Sequence, residues 1–247
     1  MSTQQSYESD ELLAQYLEFH YGQNYFDIPN FPKTCASYCI EATGSTADKK
    51  ALDLGCAVGR SAFELAPHFK QVDAIDYSHR FIECANQIKL DGYINYAVTT
   101  QGQLTQPKQC DLLSLGLTHH KNLNFYQGDA TELGNQFSNY SLVFAGNLID
   151  RLPRPKLFLD NIAPRIEADG WLILTSPYTW LSEFTPKTDW IGGYKEGDHA
   201  IETLDGLKQI LEPTFKFQGQ HDIPFIIRET ARKFQHSIAE MTLWQKI

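Results

Sequence analysis

Short apolar runs alternate along the chain with longer segments whose apolar residues recur every three or four positions. Residues 50–54, 72–76, 123–126, 141–145 and 171–175 are the apolar runs. Their length and composition read as buried strands. Between them, residues 60–68, 78–90 and a segment from Pro153 or Pro155 to about Ile166 have helical spacing. Ser78 can cap the second of these helices, and a proline suits the first turn of the third. Residues 204–211 add a helix, and residues 215–222 and 238–244 read as a closing antiparallel strand pair. The alternation predicts an α/β fold: a doubly wound, mostly parallel, seven-stranded sheet with helices on both faces and right-handed crossovers.

Ahead of the sheet, residues 7–20 place Leu12, Leu13, Tyr16, Leu17 and His20 near a 3.6-residue period, and residues 34–42 are again helical. An aromatic, turn-rich stretch at 21–32 separates them and could fold over a ligand. The polar break at 43–48 divides a lid (1–48) from the sheet domain (49–247). Within that domain, 91–121 reads as an insertion, a hairpin extension beside the sheet, with a strand at 93–100 and a loop-like stretch at 101–109. Residues 176–200 form a long aromatic segment of the kind that is usually functional.

Residues 51–60, Ala-Leu-Asp-Leu-Gly-Cys-Ala-Val-Gly-Arg, join the first strand to the first helix through Gly55 and Gly59. Glycine lets backbone approach a ligand, and a helix N-terminus offers free N–H groups. The spacing is G-x-x-x-G, not the G-x-G-x-x-G of dinucleotide sites, and Asp53 stands where a dehydrogenase has an apolar residue. Cys56 and Ala57 lie in the turn as backbone donors. Asp76 ends the second strand, where a carboxylate can accept from both ribose hydroxyls. Asp129 follows the third strand and Asn147 the fourth, so all four positions fall at the carboxyl edge of the sheet. Asp129 is equally suited to cap a helix.

The pattern D-x-G-x-x-x-G at Asp53–Gly59 resembles the first motif of class I S-adenosylmethionine-dependent methyltransferases. The resemblance implies S-adenosylmethionine as cofactor and S-adenosylhomocysteine as product. It implies cofactor contacts from Asp53, Gly55, Cys56, Ala57, Gly59, Asp76 and Tyr77. Asp129 would sit beside the adenine amino group, Ala130 would supply a backbone contact, and Asn147 would line the methionine end.

Longer segments narrow the resemblance. Residues 52–60, Ala-Ile-Asp-Tyr-Ser-His-Arg-Phe at 74–81, Asn-Leu-Ile-Asp-Arg-Leu-Pro at 147–153, Ser-Pro-Tyr-Thr-Trp at 176–180, and Glu-Phe-Thr-Pro-Lys-Thr-Asp-Trp-Ile-Gly-Gly at 183–193 resemble the mercaptohistidine N-methyltransferases of ovothiol biosynthesis. That family implies methylation of one ring nitrogen of 5-thiohistidine, giving ovothiol A by direct displacement without a metal. It also implies a separate sulfoxide synthase as a partner. By position, Asn147, Asp150, Tyr178 and Tyr25 are candidates to surround the imidazole. Arg151 or Arg228 would pair with the amino-acid carboxylate through the planar guanidinium fork. Trp180 and Trp190 wall the pocket or pack the long loop, and His221 is a weak candidate base. Two alternatives stand beside this: another small-molecule acceptor, or a non-catalytic cofactor-binding subunit.

Charge and composition exclude other classes. The net charge is −9, and there is no basic stretch, so a nucleic-acid partner is not expected. No apolar run approaches the roughly 20 residues of a membrane span, and the first residues lack a signal-peptide core. Five cysteines at irregular spacing point to free thiols in a reducing, cytoplasmic setting. Cys35 and Cys39 could share a helix face, but no further ligand lies near, and the adjacent His119 and His120 diverge, so no metal site is expected.

Overall fold

In the computed structural model, residues 9–44, 46–118 and 121–247 are described; Tyr7, Glu8 and the His119–His120 pair fall outside them. Helix α1 (Asp10–Tyr21) is capped by Ser9, whose Oγ accepts from Leu12 N at 3.2 Å. Helix α2 (Phe31–Thr43) starts earlier than its periodicity predicts. Asn30 caps it by accepting from Lys33 N at 3.1 Å, and Pro32 sits in its first turn, where a missing N–H costs nothing.

The sheet region then runs β1 (Lys50–Leu54), α3 (Arg60–Leu65), β2 (Gln71–Asp76), α4 (His79–Asp91), a hairpin of β3 (Tyr93–Gln101) and β4 (Leu104–Asp111), β5 (Leu123–Gln127) and β6 (Tyr140–Gly146). It continues with a 3-10 turn at Ile149–Arg151, α5 (Pro155–Ile162), β7 (Ile166–Ser176), a small hairpin of β8 (Tyr194–Glu196) and β9 (His199–Ile201), α6 (Thr203–Leu211), β10 (Phe215–Arg228) and β11 (Phe234–Lys246). The seven-stranded sheet has the order β10-β11-β7-β6-β1-β2-β5. Strands β5, β2, β1, β6 and β7 pair in parallel; β11 pairs antiparallel with both β7 and β10. Successive residues of β1 face opposite layers: Ala51 packs with α1–α4, Leu52 and Leu54 with α5 and α6. After β1 the chain builds outward to β5 and then returns to β6 on the other side of β1. That reversal opens a crevice at the carboxyl ends of β1 and β6.

Some predicted boundaries shift for local reasons. Helix α3 stops at Leu65 instead of residue 68 because Pro67 cannot continue the hydrogen-bond ladder; His68 N turns back to Leu65 O at 2.9 Å. The predicted loop at 101–109 is mostly strand β4, paired with β3 from Tyr93–Asp111 to Gln101–Leu104. Most of β4 is exposed, so it needs no apolar alternation and gave no strand signal. Asp169 and Gly170 lie inside β7, in a bulge where Tyr140 pairs with Ile166 but Leu142 with Trp171. Strands β10 and β11 are longer than expected. Pro224 is tolerated because β10 is an edge strand. Since β11 pairs with β7 only over Glu240–Gln245, the ribbon overhangs the sheet.

Candidate active site

The turn after β1 is strapped to β2 by backbone. Gly55 N and Cys56 N both donate to Ile75 O, at 2.8 and 3.2 Å. Gly55 (φ 73) and Ala57 (φ 46) adopt left-handed backbone. Ala57 N donates to Asp76 Oδ2 at 2.8 Å, and Ser78 N donates to Asp76 Oδ1 at 2.9 Å. Asp76 thus fixes the turn and the start of α4 together. Asp53 is buried beneath the turn, and its Oδ2 accepts from Ser61 Oγ at 2.5 Å. Burial pushes its pKa up to about 7; Asp76 nearby adds to the rise and the Ser61 bond opposes it.

A cavity of about 280 Å³ opens over this turn, at the switch in strand order. Gly55, Cys56, Ala57 and Asp76 line its floor, with the half-exposed Tyr77 beside them. Asp129 and Ala130 line one side; Asn147, Leu148 and Arg151 line another. Tyr16, Phe19 and His20 of α1, Phe31 of α2 and Phe225 of β10 also line it. Asn147 sits at φ 50. Its N–H donates to Thr175 O at 2.8 Å and Thr175 Oγ1 at 3.0 Å, while Thr175 Oγ1 donates to Asn147 Oδ1 at 3.1 Å. That leaves the amide Nδ2 to the cavity. Asp129 caps no helix; its Oδ1 accepts from Thr131 N and Oγ1, both at 2.7 Å. Carboxylates beside an open glycine turn suit a nucleoside carrying a positive sulfonium.

Residues 52–174, about half of the chain, match the family described as methyltransferase domain. The chain is a class I S-adenosylmethionine-dependent methyltransferase. No curated protein matches its sequence. The fold is that of NodS, an N-methyltransferase from Bradyrhizobium japonicum WM9 solved with S-adenosylhomocysteine: 16% identity, TM-score 0.60, covering 100% of this chain and 99% of that one. The [4+2]-cyclase SpnF is similar at 13% identity and TM-score 0.62, covering 100% and 97%. YcgJ from Bacillus subtilis aligns over 87% of this chain and 97% of its own at 13% identity, with a TM-score of 0.55.

The methyltransferase brings Asp53, Gly55, Cys56, Ala57, Asp76, Tyr77, Asp129, Ala130, Asn147 and Arg151 to one cavity. Gly59 is not among its lining residues. A Cβ there would come within 2.6 Å of the Phe125 ring, so this glycine serves packing beneath the turn. Asp150 is also displaced from its expected place. It is fully buried, and its Oδ2 accepts from Arg151 Nη1 at 2.7 Å, Thr179 N at 3.1 Å and Thr179 Oγ1 at 2.9 Å. It joins the 149–151 turn to the segment after β7 and is not among the residues lining the cavity; its Oδ1 is buried without a hydrogen-bond partner among the described residues. Tyr178 lies outside the lining: its OH donates to Glu240 Oε2 at 2.6 Å, and burial with that carboxylate raises its pKa well above the usual phenol range. Trp180 is buried, donates through Nε1 to Thr203 Oγ1 at 2.9 Å and stacks on Trp190, so both indoles pack the loop. Tyr25 and Arg228 line a neighbouring pocket. His221 lies mid-strand in β10, exposed and stacked on Tyr38.

The sequence placed an aromatic lid ahead of the sheet but did not single out Tyr16, Phe19, His20, Phe31 or Phe225 as site residues. The 3.6-residue face of α1 did group Tyr16 with His20, but a core face and a cavity face share that signature. Three bonds dock this end of α1 on the turn: Tyr21 OH to Val58 O at 2.7 Å, Arg60 N to His20 Nδ1 at 3.4 Å, and Arg60 Nη1 to His20 O at 3.4 Å. Burial and the Arg60 guanidinium lower the His20 pKa to about 3. Its ring is therefore neutral, with the proton on Nε2 because Nδ1 accepts. All five cysteines are buried free thiols. Burial holds the Cys56 thiol well above its usual pKa, so it is no nucleophile. Among the described residues, no group of three or more His, Cys, Asp or Glu is placed to hold a metal, and no helix is long and apolar enough to cross a membrane.

Proposed function

We propose that this methyltransferase acts on an imidazole ring nitrogen of 5-thiohistidine, giving ovothiol A. The observation that carries the acceptor reading is a convergence. Two segments that resemble the mercaptohistidine N-methyltransferases, 147–153 and 176–180, meet beside the cavity: Asn147, Arg151, Pro153 and Pro177 all line it. Arg151 ties them together, with Nη2 donating to Thr179 Oγ1 at 2.8 Å and Nη1 to Thr179 O at 3.1 Å. Phe144, Phe184 and Phe225 stand around the same space, which suits a flat heterocycle.

The cofactor supplies an electrophilic methyl on its sulfonium. The protein's task is alignment, and orientation alone can contribute as much as about 7–11 kcal/mol to such a displacement. On this reading Asp76 takes the ribose hydroxyls and Asp129 the adenine edge, both from the cavity lining. Asn147 Nδ2 and the His20 Nε2–H are donors that fix what lies between them. A thiolate is the more reactive atom of this acceptor, so ring placement must select nitrogen. No side chain has to remove a proton before transfer if the nitrogen presents its lone pair.

A second reading is another planar small-molecule acceptor. It is favoured by Tyr178 being bonded to Glu240 and Asp150 lying outside the cavity lining, which leaves the ring fewer side-chain partners than the sequence suggested. The deciding experiment incubates the protein with S-adenosylmethionine and 5-thiohistidine and follows product by mass. A product heavier by one methyl on a ring nitrogen is expected. Cofactor binding with no such product would sink the thiohistidine reading, and histidine and thioimidazoles without the amino-acid arm serve as control acceptors.

A further inference from the structure

Beside the cofactor cavity lies a second pocket of only about 20 Å³, room for one small polar group, lined by Glu18, Phe19, Gln23, Asn24, Tyr25 and Arg228 among others. Its polar floor is unbalanced. Glu18 is buried, and its carboxylate accepts from the Tyr25 and Tyr96 hydroxyls, the latter at 2.8 Å, with Lys108 Nζ at 3.8 Å. Arg228 is 8% exposed. Its Nη2 donates to Thr99 O at 3.2 Å, but its Nη1 is buried without a hydrogen-bond partner among the described residues. No carboxylate among the described residues forms an ion pair with it. The Glu18 carboxylate is taken up by two hydroxyls and Lys108, while the Arg228 guanidinium across the pocket is left with an unused donor. A buried, half-satisfied guanidinium is costly unless an anion meets it.

We propose that this pocket is a carboxylate-binding subsite anchored by Arg228. A planar carboxylate matches the guanidinium fork. The adjacent Glu18 disfavours a doubly charged phosphate. Along β10 the side chains alternate: Phe225 and Ile227 line the cofactor cavity, Ile226 and Arg228 this pocket. Phe19 and Phe31 line both, so one aromatic layer separates the carboxylate from the methyl-transfer space. The carboxylate arm of an amino-acid acceptor is one source of the ligand, and a free carboxylate is the other. Only the first assignment rests on the thiohistidine reading.

The test is calorimetric titration of the full chain loaded with S-adenosylhomocysteine, using L-histidine, histamine and propionate. L-Histidine is expected to bind at least about tenfold more tightly than histamine, which lacks the carboxylate. Arg228→Gln is expected to erase that difference, and Arg228→Lys to restore part of it. Retained thermal stabilisation by S-adenosylhomocysteine reports an intact fold in each variant; if Arg228→Gln does not fold, Arg228→Lys carries the comparison. Propionate binding that depends on Arg228 but does not compete with L-histidine would keep the subsite and detach it from the acceptor. Equal binding of L-histidine and histamine, with propionate unbound, would overturn the proposal and leave Arg228 as a structural anchor for Thr99. Methylation of 5-thiohistidine is measured separately, so either idea can fail alone.

Discussion

Asp53→Asn tests the electrostatics under the glycine turn. In the folded chain the Asp53 pKa is raised from 3.8 to about 7, chiefly by burial. In the unfolded chain the carboxyl ionises at its ordinary value. Between about pH 4 and pH 7 the native state therefore holds a proton that the unfolded state has lost. Unfolding releases that proton, so this group's contribution to stability falls as pH rises through the window and is lost above the folded pKa. The shift is roughly three units, or about 4 kcal/mol at 1.36 kcal/mol per unit. From pH 5 to pH 8 the portion read out is about 3 kcal/mol. An asparagine keeps the shape and can still meet Ser61 Oγ, but it does not titrate. Urea unfolding of both proteins at pH 5, 6, 7 and 8 gives the comparison. The variant is expected to gain on the wild type by about 3 kcal/mol across that range. A difference that stays constant with pH would refute the raised pKa and the burial argument behind it.

Three further substitutions follow from the same geometry. Gly59→Ala places a Cβ 2.6 Å from the Phe125 ring at φ 89; left-handed strain and overpacking together predict a loss of about 2–4 kcal/mol in chemical denaturation, partly relieved by Phe125→Leu. Asp150→Ala removes the buried carboxylate that holds Arg151 and Thr179 and should cost about 1–3 kcal/mol of stability, and a variant as stable as the wild type would contradict the structural role. Asp76→Asn removes the charge that holds the turn; with Asp76 proposed to take the ribose hydroxyls, the KM for S-adenosylmethionine should rise at least about tenfold, and an unchanged KM would remove Asp76 from the cofactor site.

The parallel core of the sheet was legible because each strand is apolar on both faces and stands between turn formers. That Gly55, Asp76 and Asp129 would share one cavity was legible for the same reason: a glycine turn and strand-end acids are fixed by local chain geometry. The acceptor side was less so. Asp150, Tyr178 and Trp180 lie in the right loops, yet a loop position does not set side-chain direction. Asp150 turned inward to hold Thr179, and Tyr178 reached Glu240 on β11, 62 residues away in sequence. Strand β4 and the overhang of β10–β11 went unread because exposed ribbon carries no apolar period. The roof contributed by α1 depends on where a helix docks, which its own amphipathic face does not encode.

Gly59 and Phe125 come from different strand-and-helix units but form one steric object. The helix after β1 can begin where it does only because the aromatic ring of β5 finds no side chain above it. Selection then acts on the pair. Across related sequences the two positions should covary, with a residue larger than glycine at 59 tolerated only where 125 has become small. A glycine that motif reading credits to the ligand would, in such lineages, be free to change while cofactor affinity is retained.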